Sequence, residues 1–408
     1  MFTDKKLEDY CEIVLRTGVN LQQGQGLEIL CPVEKREIAI ALTKKAYELG
    51  ACNVRVRWED DEIDCLNYLN AKEEVLCDVP KWFVESKNDL VKKGYCYVAI
   101  AAEDPHAFDQ VPAQKLSAVN TARSKALRNY SEKVMSNAIR WCVVSVATEN
   151  WAKTVFPKEQ NAVDKLDDAI ASSMRLDCPD PVKAWEEHVK ALDKRAKFLN
   201  EHNFDKLHFT AGNGTNLTVG LCDEHVWLSA KEKAKDGVFF VANLPTEEVF
   251  TAPHRERVDG VVVSAKPLCV NGKLVKDFTV TFKKGKVVNF TAREGYDVLK
   301  GLIQTDKGAS RLGEVALIGK NSPIAKSGVL FYNTLFDENA SCHLAFGKGY
   351  PTTIKDGEKL SDKQRKALGL NDSVTHDDFM IGTNDLKVVG IKKNGEEILL
   401  FKDGDWTI

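Results

Sequence analysis

Residues 26–58 read GLEILCPVEKREIAIALTKKAYELGACNVRVRW and predict the first structural unit of the chain. Residues 26–31 form a short, mainly apolar run typical of a buried strand. Residues 34–49 follow Pro32, carry apolar side chains at helical spacing and end before Gly50. Residues 53–58 then alternate like a strand. Strand, helix and strand in this order predict a βαβ unit, in which the two strands are parallel.

The rest of the N-terminal half continues the alternation of strands and helices. Residues 95–101 and 141–147 are further candidates for buried strands, and residues 113–140 between them have helical periodicity. Two more helices are predicted over residues 161–176 and 181–200. The N-terminal half is therefore predicted to be an α/β domain with a parallel sheet.

After about residue 205 the pattern changes to short alternating strands separated by glycine turns. The turns are Gly212-Asn213-Gly214, Asn271-Gly272, Lys284-Gly285, Asn394-Gly395 and Asp403-Gly404. Asn-Gly between alternating runs is a strong hairpin signal, and helical periodicity remains mainly over residues 297–305 and 361–368. A chain of 408 residues exceeds the usual size of one hydrophobic core. We therefore expect an α/β domain over residues 1–204 and a mainly antiparallel β (α+β) domain over residues 205–408.

The composition is that of an ordinary soluble protein. A net charge of −3 and a pI near 6.3 provide no basic field for nucleic acid or anionic lipid. The N-terminus, MFTDKKLED, carries charges where a secretory signal needs an apolar core. Apolar runs such as residues 142–147 are too short to span a bilayer. We therefore expect a cytoplasmic protein with no nucleic-acid or membrane partner.

The cysteines predict neither disulfides nor a thiolate metal site. Their number, 11, is odd, and no CxxC pair occurs. Cys11, Cys31, Cys142 and Cys269 lie inside apolar segments. We expect these four residues to be buried free thiols, which behave as small hydrophobic side chains.

Two histidines, His343 and His376, lie beside acidic residues in segments that are otherwise apolar or made of small residues. Residues i and i+2 of a strand share a face, so His376 and Asp378 can point at one ion. Glu338 and His343 are five residues apart and converge only if the chain bends between them. The small residues that separate them permit such a bend.

Two further glutamates interrupt apolar strands. Glu314 lies in GEVALIG, where it shares a face with Ala316, and Glu248 lies in PTEEVF, where it shares a face with Phe250. Burying a bare carboxylate is unfavourable by several kcal/mol, so such groups are paired, protonated or bound to a cation. A metal site would explain all of these residues together.

Four carboxylates and two imidazoles are too many for one zinc ion, which takes three or four protein ligands. They suit two divalent ions that share a bridging carboxylate, as in phosphatases and aminopeptidases. The oxygen-rich set admits Zn, Co or Mn and disfavours copper. Each signal also has an ordinary explanation: a lone His-x-Asp is commonly a hydrogen-bonded surface pair, and a lone glutamate in a strand can face solvent at a sheet edge.

Four blocks of the C-terminal half resemble the aminopeptidase T / aminopeptidase S family of two-metal peptidases, and the resemblance extends over most of the chain. The blocks are NLPTEEVFTAP (243–253), RLGEVA (311–316), TLFDENASCHLAFGKGY (334–350) and HDDFMIG (376–382). The resemblance implies metal ligands at Glu248, Glu314, Glu338, His343, His376 and Asp378. It also implies a bridging role for Glu314, a catalytic Tyr350 near the metals, peptide substrates with a free N-terminus, and a homodimer.

The mechanism expected for such an enzyme begins with a metal-bridging hydroxide, because two metals lower the pKa of a shared water. One metal polarises the scissile carbonyl, and the Tyr350 hydroxyl hydrogen-bonds the developing oxyanion. The substrate's α-amine sits on the other metal or on a nearby carboxylate. Glu314 or the adjacent Glu247 carries the proton to the leaving amine, and spacing does not choose between them. For Tyr350, a packed aromatic without catalytic function is the alternative.

Two rival functions remain open on sequence. The first is another two-metal hydrolase, such as a dipeptidase, an amidase or a phosphoesterase. A phosphoesterase favours additional Arg or Lys near the metals, for which Lys348 and Arg311 are the obvious candidates. The second is a catalytically inactive metal-binding protein.

Overall fold

The computed structural model describes residues 2–102, 104–270 and 273–408. The predicted turn at Asn271-Gly272 lies outside these residues. The chain divides into two compact units: unit 1 is Met1–His188 with Lys231–Pro245, and unit 2 is Val189–Ala230 with Thr246–Ile408. The predicted domains, 1–204 and 205–408, stay a prediction.

The bounds of the helices and strands follow in chain order. The helices are α1 (Asp4–Glu12), α2 (Arg36–Glu48), α3 (Asp61–Asn70), α4 (Glu73–Cys77), α5 (Lys81–Lys92), α6 (Ala113–Ala126), α7 (Arg128–Met135), α8 (Glu149–Val155), α9 (Ala162–Ser173), α10 (Pro181–His202), α11 (Tyr296–Ile303), α12 (Pro323–Ser327), α13 (Thr334–Asp337) and α14 (Asp362–Ala367). The strands are β1 (Gly26–Pro32), β2 (Asn53–Glu59), β3 (Cys96–Ile100), β4 (Trp141–Val144), β5 (Lys206–Thr210), β6 (Asn216–Leu221), β7 (Lys231–Lys233), β8 (Phe239–Val241), β9 (Val249–Thr251), β10 (Pro253–Val263), β11 (Leu268–Val270), β12 (Lys273–Lys283), β13 (Lys286–Glu294), β14 (Leu312–Leu317), β15 (His343–Gly347), β16 (His376–Met380), β17 (Lys387–Ile391), β18 (Glu397–Lys402) and β19 (Asp405–Trp406).

Unit 1 contains a parallel sheet with the strand order β2-β1-β3-β4. Strand β1 pairs with β2 from Gly26 opposite Asn53 to Pro32 opposite Glu59, and α2 connects them. The predicted βαβ unit is therefore confirmed, as is the α/β class of the N-terminal region. Leu27, Ile29 and Cys31 on one face of β1 are fully buried, which explains why the strand is so apolar.

The helix predicted over residues 113–140 is wrong as a single element. The structure has two helices, α6 and α7, with Leu127 between them in a non-helical conformation. Helix α6 packs against α4, whereas α7 packs against α5. The packing partner therefore changes at Leu127, and the helical stretch of the sequence does not reveal that change.

A buried ion pair joins β1 to helix α5. The ammonium group of Lys87 contacts Glu28 Oε1, and both residues are at most 8% exposed. The same ammonium lies over the rings of Tyr97, at 5.1 Å, and Tyr130, at 5.6 Å. Burial lowers the pKa of Lys87, and the contact with Glu28 opposes that effect. The contact between the two charges therefore offsets part of the unfavourable free energy of burying them.

Replacing Lys87 with Met is expected to lower the free energy of unfolding by about 3–5 kcal/mol, because Glu28 then loses the buried ammonium group that contacts it. Urea unfolding followed by circular dichroism measures the change. The double variant Lys87→Met/Glu28→Leu should recover most of it. The control is Lys153→Met, which breaks the exposed pair with Glu149 and should change stability by less than about 1 kcal/mol. A Lys87→Met variant as stable as that control would contradict the prediction.

Unit 2 contains antiparallel sheets, which confirms the fold class predicted for the C-terminal half. The larger sheet has the order β11-β12-β10-β6-β5-β17-β18-β19, with β13 also paired to β12. The predicted glycine turns at 212–214, 284–285, 394–395 and 403–404 connect antiparallel neighbours of this sheet. Helices α11 and α14 lie where helical periodicity was predicted.

A smaller antiparallel sheet in unit 2 has the order β16-β15-β14-β9. One of its faces is aromatic: Phe346 on β15 stacks on Phe379 on β16 at 4.5 Å, and Phe379 contacts Phe278 on β12 at 5.7 Å. All three side chains are fully buried. This face packs into the hydrophobic core at Phe346 and Phe379, and the one carboxylate of β16 that shares it, Asp377, is only partly buried.

The cysteine prediction is confirmed for three residues and wrong for the fourth. Cys11, Cys31 and Cys142 are free and buried. Cys269 is exposed, because it lies on β11 at the end of the larger sheet, with its neighbours Leu268 and Val270 buried instead. In the part of the chain that is described, no helix combines the length and apolar character needed to cross a membrane.

Candidate metal centre

The pairing of the smaller sheet places the predicted site residues on one face. Glu314 pairs with Ala345, and Ala345 pairs with Asp378. Side chains two residues apart on a strand share a face, so His343 joins this face on β15 and His376 joins it on β16. Glu248 precedes β9, two residues before Phe250, and Phe250 pairs with Ala316 on the same face. This face is opposite the aromatic one.

The distances show that five of these side chains converge. His343 Nε2 lies 3.4 Å from Glu248 Oε2, 3.5 Å from Glu314 Oε1 and 3.8 Å from Asp378 Oδ1. His376 Nε2 lies 3.7 Å from Glu314 Oε2 and 3.5 Å from Asp378 Oδ1. Glu314 therefore lies between the two imidazoles and directs one oxygen toward each of them.

Glu338 reaches this cluster because the chain bends, as its spacing from His343 requires. It begins a short 3-10 helix, Glu338–Ala340, after α13, and Ser341 is then fully extended before β15 begins. Glu338 interacts electrostatically with Asp378 and Glu248. The structure thus brings all six predicted ligand residues to one place, and their role as metal ligands stays a prediction.

Tyr350 lies beside the cluster. Its ring centroid is 4.7 Å from that of His376. Burial raises the pKa of the Tyr350 hydroxyl, and the charge of Glu314 raises it further. The hydroxyl therefore keeps its proton at neutral pH and is available as a hydrogen-bond donor.

Backbone carbonyls orient both imidazoles. His376 Nδ1 is 2.7 Å from the carbonyl oxygen of Lys348, and His343 Nδ1 is 3.3 Å from that of Ser341. A ring nitrogen that faces a carbonyl donates its proton there, which leaves Nε2 of the neutral ring as the ligating atom. Gly347, with φ of 96°, makes the turn that presents the Lys348 carbonyl. Both Nε2 atoms point at the carboxylates.

Asn339 connects two of the segments that carry carboxylates. Its side chain is fully buried, its Oδ1 accepts a hydrogen bond from the Glu247 amide at 2.7 Å, and its Nδ2 donates to the Leu335 carbonyl at 3.0 Å. Nδ2 also lies 3.5 Å from Glu338 Oε1. The sequence-based interpretation missed this residue, although an amide between Glu338 and Ala340 in an otherwise buried stretch was a visible signal.

The carboxyl groups of the cluster are strongly perturbed. Burial raises the pKa of Glu314 to about 7, with His343 opposing the effect and Glu248 adding to it. Burial also raises the pKa of Glu338 well above its usual value, and the charges of Asp378 and Glu248 add to it. Neighbouring carboxylates in a low-dielectric site cannot all be ionised without positive charge beside them.

The histidines supply part of that positive charge when they are protonated. Burial lowers the pKa of His343, but its contacts with Glu248 and Glu314 outweigh burial and raise it well above the usual value. Burial also lowers the pKa of His376, but the charge of Asp378 and its contact with the ring outweigh burial and raise the pKa to about 10. The cluster therefore attracts cations, whether protons or metal ions.

The residues of the cluster fit divalent cations. Ligand atoms of Glu248, Glu314 and His343 all lie within 4.8 Å of one another. Glu248 Oε2 and Asp378 Oδ1 are buried and accept no hydrogen bond from the described residues, so each has a lone pair directed at the shared space. Oxygen donors with two imidazoles suit Zn, Co or Mn.

The whole chain matches a known family. A model of the family described as thermophilic metalloprotease (M29) matches residues 3–406. The chain belongs to the M29 family of metalloproteases. As an M29 protein it is a peptide-bond hydrolase, and the acidic cluster on the smaller sheet is its candidate metal centre.

The relatives of this M29 protein match it along their full length. Aminopeptidase 2 of Geobacillus stearothermophilus is 40% identical over 406 residues, which are 99% of this chain and 98% of the relative. Aminopeptidase T of Thermus aquaticus is 39% identical over 409 residues, which are 100% of this chain and 99% of the relative. The solved structure of wild-type AmpT from Thermus thermophilus superposes with a TM-score of 0.93 at 37% identity and covers 99% of both chains.

Proposed function

We propose that this protein is a metalloaminopeptidase that removes the N-terminal residue from peptides with a free N-terminus, using two divalent ions. The proposed ligands are Glu248, Glu314, Glu338, His343, His376 and Asp378. The observation that carries the proposal is the position of Glu314, whose two oxygens face different imidazoles. A carboxylate so placed suits a bridge between two ions. The aminopeptidase relatives support the choice of substrate.

Two bound divalent ions, which we expect to be Zn, Co or Mn, supply a hydroxide nucleophile at neutral pH and a Lewis acid for the scissile carbonyl. The residues of the chain stabilise the oxyanion, transfer the proton and hold the substrate. Tyr350 donates a hydrogen bond to the oxyanion that develops at the carbonyl. Glu314 or Glu247 transfers the proton to the leaving amine. A carboxylate beside the centre holds the substrate's α-ammonium, which restricts cleavage to the first peptide bond.

Two further parts of the proposal rest on the sequence: the resemblance to the aminopeptidase T / aminopeptidase S family suggests a dimer, and the net charge of −3 provides no basic field for nucleic acid or anionic lipid. We propose that the protein works as a homodimer in the cytoplasm, and that its partners are peptides rather than nucleic acid or membrane. Size-exclusion chromatography with light scattering tests the dimer: a single species of about twice 45.5 kDa is expected.

The proposed activity is tested on chelator-treated protein with aminoacyl-anilides, in the absence and presence of added Zn, Co or Mn. Release of aniline that depends on added metal supports the aminopeptidase. Turnover of N-terminally blocked peptides would instead favour another two-metal hydrolase, such as an amidase. Metal binding without turnover of any substrate would favour a catalytically inactive metal-binding protein.

Replacing Tyr350 with Phe is expected to lower kcat by about 10²-fold while KM changes little, because an oxyanion donor acts mainly in the transition state. Steady-state kinetics on a leucyl-anilide measures both constants, and metal analysis of the variant serves as the control, since its metal content should equal that of the wild type. Unchanged kcat would mean that Tyr350 is a packed aromatic.

Replacing Asn339 with Ala is expected to weaken metal binding by about 10–100-fold, because residues that orient ligands have effects of that size. Titration of the metal-free protein with Zn²⁺, followed calorimetrically, measures the affinity. The matched control is Asn200→Ala, which also removes a side-chain amide that bridges two backbone groups, since its Oδ1 accepts from the Trp227 amide and its Nδ2 donates to the Trp227 carbonyl. Both variants should lose stability. Equal loss of metal affinity in the two would show that Asn339 has no specific role at the centre.

A further inference from the structure

A second site lies in unit 2, away from the residues of the candidate metal centre. It is a cavity of about 760 Å³, a volume in the range of small-molecule sites. Its walls come from β13, from the end of α11 and from the segment that connects α11 to β14. None of the six proposed metal ligands is among its lining residues.

The cavity is strongly basic, although the protein as a whole has a net charge of −3. Its lining residues include Arg255, Lys286, Lys307 and Arg311. The one acid among the lining residues, Asp306, is engaged elsewhere. Its oxygens accept hydrogen bonds from the backbone amides of Gly308, Ala309 and Val374 and from the Ser373 hydroxyl, at 2.7–2.9 Å. The cations of the cavity thus exceed the acidic charge available to balance them.

Neither arginine at this cavity hydrogen-bonds a carboxylate of the described residues, and Arg255 forms only a long ion pair with Glu256. Arg255 Nε is buried and makes no hydrogen bond to the described residues; Glu256 Oε1 lies 3.6 Å away, beyond hydrogen-bond distance. Arg311 donates instead to the backbone carbonyls of Arg255 and Lys284. Burial lowers the pKa of Arg311, and the positive charge of Arg255 lowers it further. Placing an anion between such groups relieves their mutual repulsion.

The cavity also offers an apolar surface. Val287 and Ile303 line it and are at most 9% exposed. Phe290 lines it as well and stacks on Tyr296 at 5.0 Å. A ligand that fills the cavity therefore meets cationic side chains in one part and aliphatic and aromatic side chains in another.

We propose that this cavity binds a phosphate monoester whose organic part is small and apolar or aromatic. A phosphate dianion neutralises more of the excess positive charge than a carboxylate does, and its oxygens match the donor geometry of guanidinium groups. The volume exceeds what an inorganic phosphate ion fills, and the apolar wall accounts for the rest of the ligand. The contacts of Arg311 with backbone carbonyls explain that residue as a structural support. They do not explain the buried Nε of Arg255, which has no hydrogen-bond partner among the described residues.

Calorimetric titration of the full chain with phenyl phosphate tests the proposal, both as purified and after chelator treatment. Chelator treatment distinguishes binding in the cavity from binding at the metal centre, because the acidic cluster without metal repels anions. We expect binding at one site per chain that survives chelation. The Arg255→Gln variant should weaken it by about tenfold, the effect of losing one charge-assisted hydrogen bond. Lys286→Gln/Lys307→Gln should also weaken it, and this exposed pair of substitutions leaves the core intact.

The control is Lys387→Gln/Lys402→Gln, which removes the same charge from exposed positions on β17 and β18 outside the cavity. The affinity of this control variant for phenyl phosphate should equal that of the wild type. Three results would overturn the proposal: no binding after chelation, equal weakening by the control pair, or benzoate binding as tightly as phenyl phosphate. Inorganic phosphate binding as tightly as phenyl phosphate would remove the organic part from the proposed ligand. None of these outcomes depends on the peptidase activity.

Discussion

Replacing Glu314 with Gln is expected to lower kcat/KM for a leucyl-anilide by on the order of 10³-fold or more, the rate equivalent of about 4 kcal/mol. Gln has the same shape but offers one neutral oxygen and an amide donor in place of two anionic oxygens. It cannot bridge two cations, so we expect the bound metal to fall below two ions per chain. Steady-state kinetics and elemental analysis of the same preparation measure the two effects.

The matched control for Glu314→Gln is Asp377→Asn. Asp377 lies on the same small sheet, next to Asp378, but its side chain points to the opposite face. Its replacement should leave metal content at the wild-type value and change kcat/KM by less than about threefold, because its side chain faces away from the proposed ligands. Full activity of Glu314→Gln with two ions bound would exclude the bridging role, whatever the control shows.

Removal of the metal ions is expected to abolish peptidase activity and to lower the melting temperature by about 10 °C. Ions that bind only the folded state stabilise it by about 4 kcal/mol when their free concentration is 1,000 times Kd. For a unit of about 200 residues, each kcal/mol corresponds to roughly 2–4 °C. Differential scanning calorimetry with and without chelator measures the shift, and added Zn, Co or Mn should reverse it.

The Glu314→Gln variant provides the decisive comparison for that stability effect. Without metal, the wild-type centre holds several buried carboxylates that repel one another, and the substitution removes one of them. The metal-free variant should therefore melt at or above the temperature of the metal-free wild type, while its metal-dependent shift becomes small. A metal-dependent shift of the same size in both proteins would place the stabilising ions elsewhere in the chain.

The proposed centre depends on a sheet with two different faces. Phe346 and Phe379 on one face are buried in the core, and this holds β15 and β16 in one register. A shift by a single residue would move His343 and Asp378 to the aromatic side. The same hydrophobic packing that stabilises unit 2 therefore also determines which side chains meet at the centre.

Local patterns were sufficient for much of the fold. The βαβ unit at residues 26–58 follows from an apolar run, a helical repeat and an alternating run, each within one stretch of chain. The glycine turns of the C-terminal half follow from residue types that tolerate turn conformations. Leu127 shows the limit of such reasoning, because the division there coincides with α6 and α7 packing against different helices, which lie far from them in sequence.

The sequence by itself determined which residues of the candidate site were chemically able to hold metal, and strand parity determined that His376 and Asp378 share a face. The tertiary structure decided that Glu248, 130 positions before Asp378, joins them, because pairing between distant strands is set by burial of the aromatic face rather than by local propensity. It also decided the position of Asn339 beside Glu338 and brought the basic side chains of the cavity together. Hydrogen bonds and charge accumulation between distant segments leave no periodic signal in the chain, since they arise only when the segments fold together.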